Sequence, residues 1–149
     1  MTAYFYCLLL SNSNKLKMDR RFYLEHTVIQ DEIDALGHVN NVCYIQWVQN
    51  AAEKHWAVLS KDHTFENYVW VVLRHEIDYI ASAKLDDKIT IRTWVGESYG
   101  VKSERFVEIL KDGQILVKAT TTWCLLDKKK MKVVRVPFEV LEAVNGIEG

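Results

Sequence analysis

The feature that most constrains the fold of this chain is a long helical pattern of apolar residues that begins directly after a polar loop. From Asn41 to Leu59, mostly apolar residues recur at the three- and four-residue spacing of a helix. They are Tyr44, Trp47, Val48, Ala51, His55 and Leu59 on one line, with Ile45, Ala52 and Trp56 beside it. A helix of about 19 residues is about 28 Å long. An apolar surface this long and broad must be enclosed by other parts of the chain.

The loop before this helix, residues 31–41, combines one glycine with several polar side chains. Gly37 can adopt the positive φ that a sharp chain reversal requires, and Asn40 is a good N-cap residue. Asp34 is therefore predicted to lie just outside the helix N-terminus, where free N–H groups and the positive end of the helix dipole are found. By itself this position favours an aspartate that only complements the dipole, and His38 by itself favours a solvated loop residue or a capping contact.

The rest of the chain is predicted to contain one strand before this loop and several strands after the helix. Alternating or β-rich segments bounded by turn residues indicate strands, and they cover residues 21–29, 68–80, 88–95, 101–110, 115–126 and a further pairing segment at 131–136. Asp112-Gly113 is a strong hairpin signal, and Gly96–Gly100 is predicted to be a hairpin turn. Pro137 is predicted to start a short terminal helix that ends at Val144.

This order of elements predicts an α+β fold. Four or five consecutive antiparallel strands would form a meander with one face free to bury a helix, and its most economical packing curls the sheet around the long helix. That arrangement is the hotdog fold. We therefore expect a single hotdog domain in which a long central helix is wrapped by a curved, mostly antiparallel sheet of five to six strands. A chain of 149 residues is long enough to bury the core of one such domain.

Residues 1–17 are predicted to be an N-terminal extension, and residues 18–149 the hotdog domain. The apolar run Tyr4–Leu10 is too short to span a membrane, and it lacks the flanking features of a signal peptide. The three cysteines are odd in number and far apart, which indicates a reducing compartment. We therefore expect a cytoplasmic protein that does not associate with membranes.

Composition and motifs exclude several classes of function. The net charge of −1 with interspersed acids and bases argues against nucleic-acid binding, because no basic face is available for phosphates. The five histidines have no H-E-x-x-H spacing, and there is no C-x-x-C motif. A metal site is therefore not expected. Gly96-x-Ser98-x-Gly100 matches a serine-hydrolase pattern, but it joins two predicted strands and no histidine follows Ser98.

The loop and helix together carry a recognisable pattern, Asp34-x-x-Gly37-His38-Val39-Asn40-Asn41-x-x-Tyr44-x-x-Trp47. It resembles the signature of hotdog acyl thioesterases, most closely the branch of 4-hydroxybenzoyl-CoA thioesterase and, around His38 to Trp47, the plant acyl-ACP thioesterases. The resemblance continues through residues 71–79 and Asp87-Lys88-Ile89, and it covers most of residues 20–140. It implies that Asp34 is the catalytic carboxylate, that the backbone N–H of Asn41 polarises the thioester carbonyl, and that the substrate-binding residues are Gly37, His38, Asn40 and Asn41.

The same resemblance implies hydrolysis of acyl-CoA or acyl-ACP to a free acid and a thiol, without a cofactor, by a homodimer or homotetramer. Plant acyl-ACP thioesterases have Asn where this chain has Leu36, so a mechanism centred on Asp34 is favoured and His38 is a positioning candidate. Two alternatives stay open at this point. A hotdog dehydratase or hydratase would typically have Asp-x-Asn-Pro-x-His, which is absent here. A non-catalytic protein that binds acyl thioesters would retain the pocket without turnover.

Overall fold

The computed structural model describes residues 20–145; the predicted extension 1–17 lies outside them. The described residues form six strands, two helices and a short 3-10 turn at Gln30–Glu32. The strands are β1 Phe22–Thr27, β2 Tyr68–Tyr79, β3 Lys88–Tyr99, β4 Lys102–Lys111, β5 Gln114–Asp127 and β6 Lys132–Val133. The helices are α1 Asn41–Leu59 and α2 Phe138–Asn145. The predicted long helix and terminal helix are both confirmed, and no helix of residues 20–145 is long and apolar enough to cross a membrane.

The strands form one antiparallel sheet in the order β1-β3-β4-β5-β2, and β6 pairs with the end of β5. The predicted meander is therefore correct for β3, β4 and β5 but wrong for β2, which pairs with β5 so that Tyr79 lies opposite Val117. Residues 80–87 connect β2 to β3, and eight extended residues can span about 27 Å. Alternation and turn residues identify strands without identifying their partners. Here β2 takes an edge of the sheet because the sheet must surround α1 instead of lying flat.

The apolar face of α1 forms the centre of the core. Tyr44, Val48 and Ala51 are almost completely buried, and one cluster joins them to side chains of every long strand. Its other members include Ile77, Ile89, Ile91, Val107, Ile109, Val117 and Ala119. Burial of aliphatic and aromatic side chains on this scale is the main force that stabilises such a domain. The expectation of a central helix wrapped by a sheet of five to six strands is confirmed.

The turn between β3 and β4 differs from its prediction. β3 continues through Gly96 to Tyr99, and the reversal occurs at Gly100, which has a φ of 59°. Gly96 has another role, because a Cβ built there would lie 2.5 Å from Cε2 of Phe106 on the neighbouring strand. The register also shifts between Val95 and Ser98, as in a β-bulge. Gly96 therefore permits close packing of an aromatic ring on the backbone, which a pattern of glycines cannot distinguish from a turn.

The hairpin between β4 and β5 agrees with its prediction. Asp112 and Gly113 are its central residues, with φ values of 48° and 77°. Positive φ at both positions is the geometry of the type I′ turn, whose twist matches that of two antiparallel strands. This turn sets the register of β4 against β5.

Candidate active site

A tight loop between Ile33 and Val39 connects the 3-10 turn to α1. These two residues form an isolated antiparallel bridge, so the five residues between them reverse the chain direction. Within the loop, the N–H of Asp34 donates to the carbonyl of His38 at 2.7 Å, and the N–H of Gly37 donates to the carbonyl of Asp34 at 3.1 Å. Gly37 has a φ of 79°, as its predicted role in the reversal requires. The loop is therefore closed by its own backbone.

The carboxylate of Asp34 is oriented by the same loop. Its Oδ1 accepts hydrogen bonds from the N–H of Leu36 at 2.9 Å and from the N–H of His38 at 3.1 Å. No hydrogen bond to Oδ2 occurs within residues 20–145, and the side chain is half-buried. One oxygen thus holds the carboxylate in position, and the other is free to act as a base or nucleophile.

The helix N-terminus supplies hydrogen-bond donors beside this loop. Asn40 is the N-cap as predicted, and its side-chain oxygen accepts the N–H of Val42 at 3.1 Å. Asn41 is the first helical residue, and its N–H has no acceptor in the described part of the chain, as is usual at a helix start. Its carbonyl accepts a hydrogen bond from the hydroxyl of Tyr79 at 3.3 Å. The structure thus provides an unpaired N–H at the positive end of the helix dipole.

The segment after β2 ties the start of α1 to the sheet. The N–H of Val39 donates to the carbonyl of Ala83 at 2.9 Å, and the N–H of Ala83 donates to the hydroxyl of Tyr44 at 2.8 Å. All three residues are at most 2 % exposed. Buried hydrogen bonds of this kind are costly to break. These buried hydrogen bonds therefore anchor the end of the Asp34 loop to the core.

A second carboxylate near the site was not identified from the sequence. Both oxygens of Glu32 lie 2.9 Å from Nε2 of His26, and Oε1 accepts the indole N–H of Trp47 at 3.2 Å. Its Oε2 also accepts the backbone N–H of Ile29 at 3.0 Å. Burial raises the pKa of Glu32, but these hydrogen bonds and the charge of His26 outweigh burial, so the net pKa is lowered. The sequence hints at one of these contacts, because the spacing Ile29-x-x-Glu32 allows the Glu32 side chain to accept the backbone N–H of Ile29. The contacts with His26 and Trp47 form only when the chain folds.

Other nucleophiles and metal ligands near the site are limited. The thiol of Cys43 points to the carbonyl of Glu32 at 3.8 Å, and burial together with the charge of Glu32 raises the pKa of this thiol. Cys43 is therefore a poor nucleophile at neutral pH. No three His, Cys, Asp or Glu side chains in the described residues are grouped closely enough to hold a metal ion. Asp34 differs from Glu32, whose two oxygens both accept hydrogen bonds, because its Oδ2 accepts none within residues 20–145.

The structure brings all the predicted site residues together, since Asp34, Gly37, His38, Asn40 and Asn41 form one loop and helix start. The imidazole of His38 is half-buried and makes no hydrogen bond to another described side chain. The loop and helix start thus provide an oriented carboxylate and, seven residues further along the chain, a backbone N–H without an acceptor within residues 20–145. Such a pair can activate water, or attack a carbonyl carbon directly, while the N–H stabilises the developing oxyanion.

The chain is similar to known thioesterases. The family model of the thioesterase-like superfamily matches residues 19–144. The acyl-CoA thioesterase YbgC of Haemophilus influenzae is 28% identical over 135 residues, which are 88% of this chain and 99% of that protein. The chloroplastic acyl-[acyl-carrier-protein] hydrolase FATB3 of Cuphea viscosissima is 28% identical over 78 residues, or 51% of this chain. The match covers 19% of that plant protein's length.

A solved structure supports the assignment of the fold. The predicted thioesterase from Bacillus stearothermophilus superimposes on this chain with a TM-score of 0.77 at 18% identity. The match covers 85% of this chain and 95% of the other. The hotdog fold expected from the order of elements is thereby confirmed.

Proposed function

The chain belongs to the thioesterase-like superfamily, and on that premise we propose that it hydrolyses acyl thioesters to a free acid and a thiol, with Asp34 as the catalytic carboxylate. Acyl-CoA is the favoured substrate, because the relative matched over nearly its whole length is named an acyl-CoA thioesterase. Acyl-ACP is the second substrate class to test, because the plant relative is named an acyl-carrier-protein hydrolase.

The main observation that supports this proposal is that the two oxygens of the Asp34 carboxylate differ in their hydrogen bonds. Oδ1 of Asp34 accepts two backbone N–H groups of its own loop, whereas Oδ2 has no partner within residues 20–145. The unpaired N–H of Asn41 is in turn the natural donor to the thioester carbonyl. Gly37, His38 and Asn40 would line the approach to this carbonyl.

The chemistry requires no further catalytic group. A thioester carbonyl is more electrophilic than that of an ester, and a thiol with a pKa of about 8.5 is a good leaving group. With Asp34 as general base, the carboxylate takes a proton from water, the water oxygen bonds to the acyl carbon, and the C–S bond breaks as the thiolate takes up a proton. With Asp34 as nucleophile, the carboxylate oxygen displaces the thiolate and water then hydrolyses the mixed anhydride.

The decisive experiment is the Asp34→Asn variant. The amide can keep the hydrogen bonds to Oδ1 but has lost the negative charge, so kcat for the best thioester should fall at least about 100-fold with little change in KM. Asp31→Asn is the matched control, because Asp31 is an exposed acid of the adjoining 3-10 turn. Wild-type turnover by Asp34→Asn would refute the assignment. Label in Asp34 after single-turnover hydrolysis in ¹⁸O-water would identify the nucleophilic route, in which water attacks the Asp34 carbonyl of the anhydride.

The proposal includes assembly into a homodimer or homotetramer. Within residues 20–145, the edge strand β2 pairs with another strand on one side alone, and large apolar side chains on it and directly after it are exposed. Val71 is 39%, Leu73 53%, Tyr79 43% and Ile80 56% exposed. An open edge of this length invites pairing with another chain. Light scattering is expected to give at least twice the monomer mass of 17.4 kDa, and a monomer at micromolar concentrations would contradict the proposal.

A cytoplasmic location is the last part of the proposal. Cys43 and Cys124 are free thiols, as is usual for proteins of reducing compartments. Cell fractionation tests the location directly. Recovery of the protein in a membrane fraction, or in a fraction from an oxidising compartment, would contradict this location.

A further inference from the structure

A cavity of about 240 Å³ lies at the other end of the sheet from the Asp34 loop. It is half open to solvent and lies between the second half of α1, the ends of four strands and α2, and three tryptophans line it: Trp56, Trp70 and Trp123. Glu53, which also lines it, lies about 18 Å along the helix from Asn41 by helical rise. The cavity is therefore separate from the candidate active site, and the catalytic proposal does not use it.

The wall of this cavity contains a buried cation without a paired anion. Arg105 is 6% exposed, and its Nη1 donates to Nδ1 of His55 at 2.8 Å and to Oγ1 of Thr93 at 3.1 Å. None of the four ion pairs formed within the described residues includes Arg105. Burial and the charge of Arg105 lower the pKa of His55 to about 4, so this histidine is neutral at neutral pH. Arg105 therefore contributes an uncompensated positive charge.

Hydrogen-bond donors on this wall exceed the available acceptors. Both hydrogen bonds of Arg105 use Nη1, and no acceptor within residues 20–145 bonds to its Nε or Nη2. The indole N–H of Trp123 is buried and has no hydrogen-bond partner in the same residues. A buried donor without an acceptor costs free energy. The indole nitrogen of Trp123 has almost no accessible surface, so the acceptor oxygens of an occupant would bond to the guanidinium of Arg105 and not to Trp123.

We propose that this cavity binds a small apolar carboxylate, with its carboxylate on Arg105 and its aromatic ring or short alkyl chain among the three tryptophans. A planar guanidinium is the side chain best suited to a carboxylate, and aromatic walls suit a flat or aliphatic body. The volume fits one ring with a short substituent, since a cavity of about 150 Å³ holds benzene. Doubly charged phosphate fits poorly, because one arginine cannot compensate two desolvated charges.

Glu53 allows a further test of this assignment. Its side chain is exposed at the rim of the cavity, where it opposes the entry of an anion but is screened by solvent. Removal of its charge should strengthen the binding of an anionic ligand and leave a neutral ligand unaffected. This expectation separates recognition of a carboxylate from simple filling of an apolar space.

The test is binding of phenylacetate and hexanoate to the full chain, measured by calorimetry and by tryptophan fluorescence. Phenylacetamide, which has the same shape without the charge, should bind about 10- to 100-fold more weakly than phenylacetate, and inorganic phosphate should not bind. Equal affinity for the acid and the amide would overturn the proposal, and so would the absence of acid binding at millimolar concentration.

Substitutions at and away from the cavity test whether phenylacetate binds there. Arg105→Gln should weaken phenylacetate binding about 10- to 100-fold, whereas Arg74→Gln, which changes an exposed arginine paired with Glu76, should leave it unchanged. Glu53→Gln should tighten it a few-fold. Since Glu53 is on the surface, this variant provides a test even if Arg105→Gln fails to fold. Unchanged affinity in Glu53→Gln, or in folded Arg105→Gln, would overturn the proposal. These readouts do not depend on thioester hydrolysis, so they stand whether or not Asp34 is catalytic.

Discussion

Asp34 and His38 are joined by two hydrogen bonds that use the backbone of both residues and one side chain. The N–H of Asp34 donates to the carbonyl of His38 at 2.7 Å, and the N–H of His38 donates to Oδ1 of Asp34 at 3.1 Å. The backbone of His38, and not its imidazole, therefore orients the carboxylate. A variant that changes only the imidazole should leave this orientation intact.

The first prediction concerns His38→Ala. Because the backbone contacts to Asp34 remain, we expect turnover to fall by less than in Asp34→Asn, with the loss appearing in part as a raised KM if the imidazole contacts substrate. Steady-state kinetics of both variants on the same acyl-CoA provide the comparison. Equal and nearly complete losses would instead assign His38 to the chemical step.

The second prediction concerns Glu32, which braces the start of the loop. Glu32→Gln removes the charge from a carboxylate bonded to His26 and Trp47, and we expect the free energy of unfolding to fall by about 1–3 kcal/mol. Urea denaturation measures this loss, and Glu25→Gln, at an exposed glutamate bonded to Thr90, is the control. Because the pKa of Glu32 is lowered, its contribution is present above pH 4.5 and is lost as the pH falls through the folded-state value. Equal stability of Glu32→Gln and wild type across this range would contradict the prediction.

The third prediction concerns the pH dependence introduced by His55. Its pKa is lowered to about 4 by burial and by Arg105, whereas the unfolded chain has a value of about 6.5. Below pH 6.5 the unfolded state binds a proton that the folded state does not, so stability falls from about pH 6.5 to about pH 4, by at most about 3 kcal/mol. His55→Gln should be less stable at neutral pH but should show a smaller loss over this interval in urea denaturation. An unchanged slope would mean that His55 does not titrate in this way.

The fourth prediction concerns residues 1–17. The family model matches from residue 19, and β1 begins at Phe22, so a chain that starts at Met18 contains all the described elements. We expect it to remain soluble and to retain thioester hydrolysis within about two-fold of the full chain. Solubility and kcat/KM of the shortened protein measure this. An insoluble or inactive product would assign these residues a structural role.

The sequence alone was sufficient to predict the elements whose cause is local. The bounds of α1 follow from helical spacing and the cap at Asn40, and the hairpin at Asp112-Gly113 follows from the positive φ that its turn requires. The candidate site was predictable for the same reason. Asp34, Gly37 and Asn41 lie within eight consecutive residues, so one loop carries the whole pattern.

Only the tertiary structure decided which distant residues meet. β2 pairs with β5 and not with β3, because enclosing α1 is a property of the whole sheet. Gly96 admits the ring of Phe106, and Glu32 receives His26 and Trp47 from elements before and after it. The unpaired charge of Arg105 also emerges only when 50 residues of chain fold back to bring it to His55. Local sequence patterns determine turns and helix ends. Long-range packing determines which strands pair, which side chains are buried and which buried charges lack a partner.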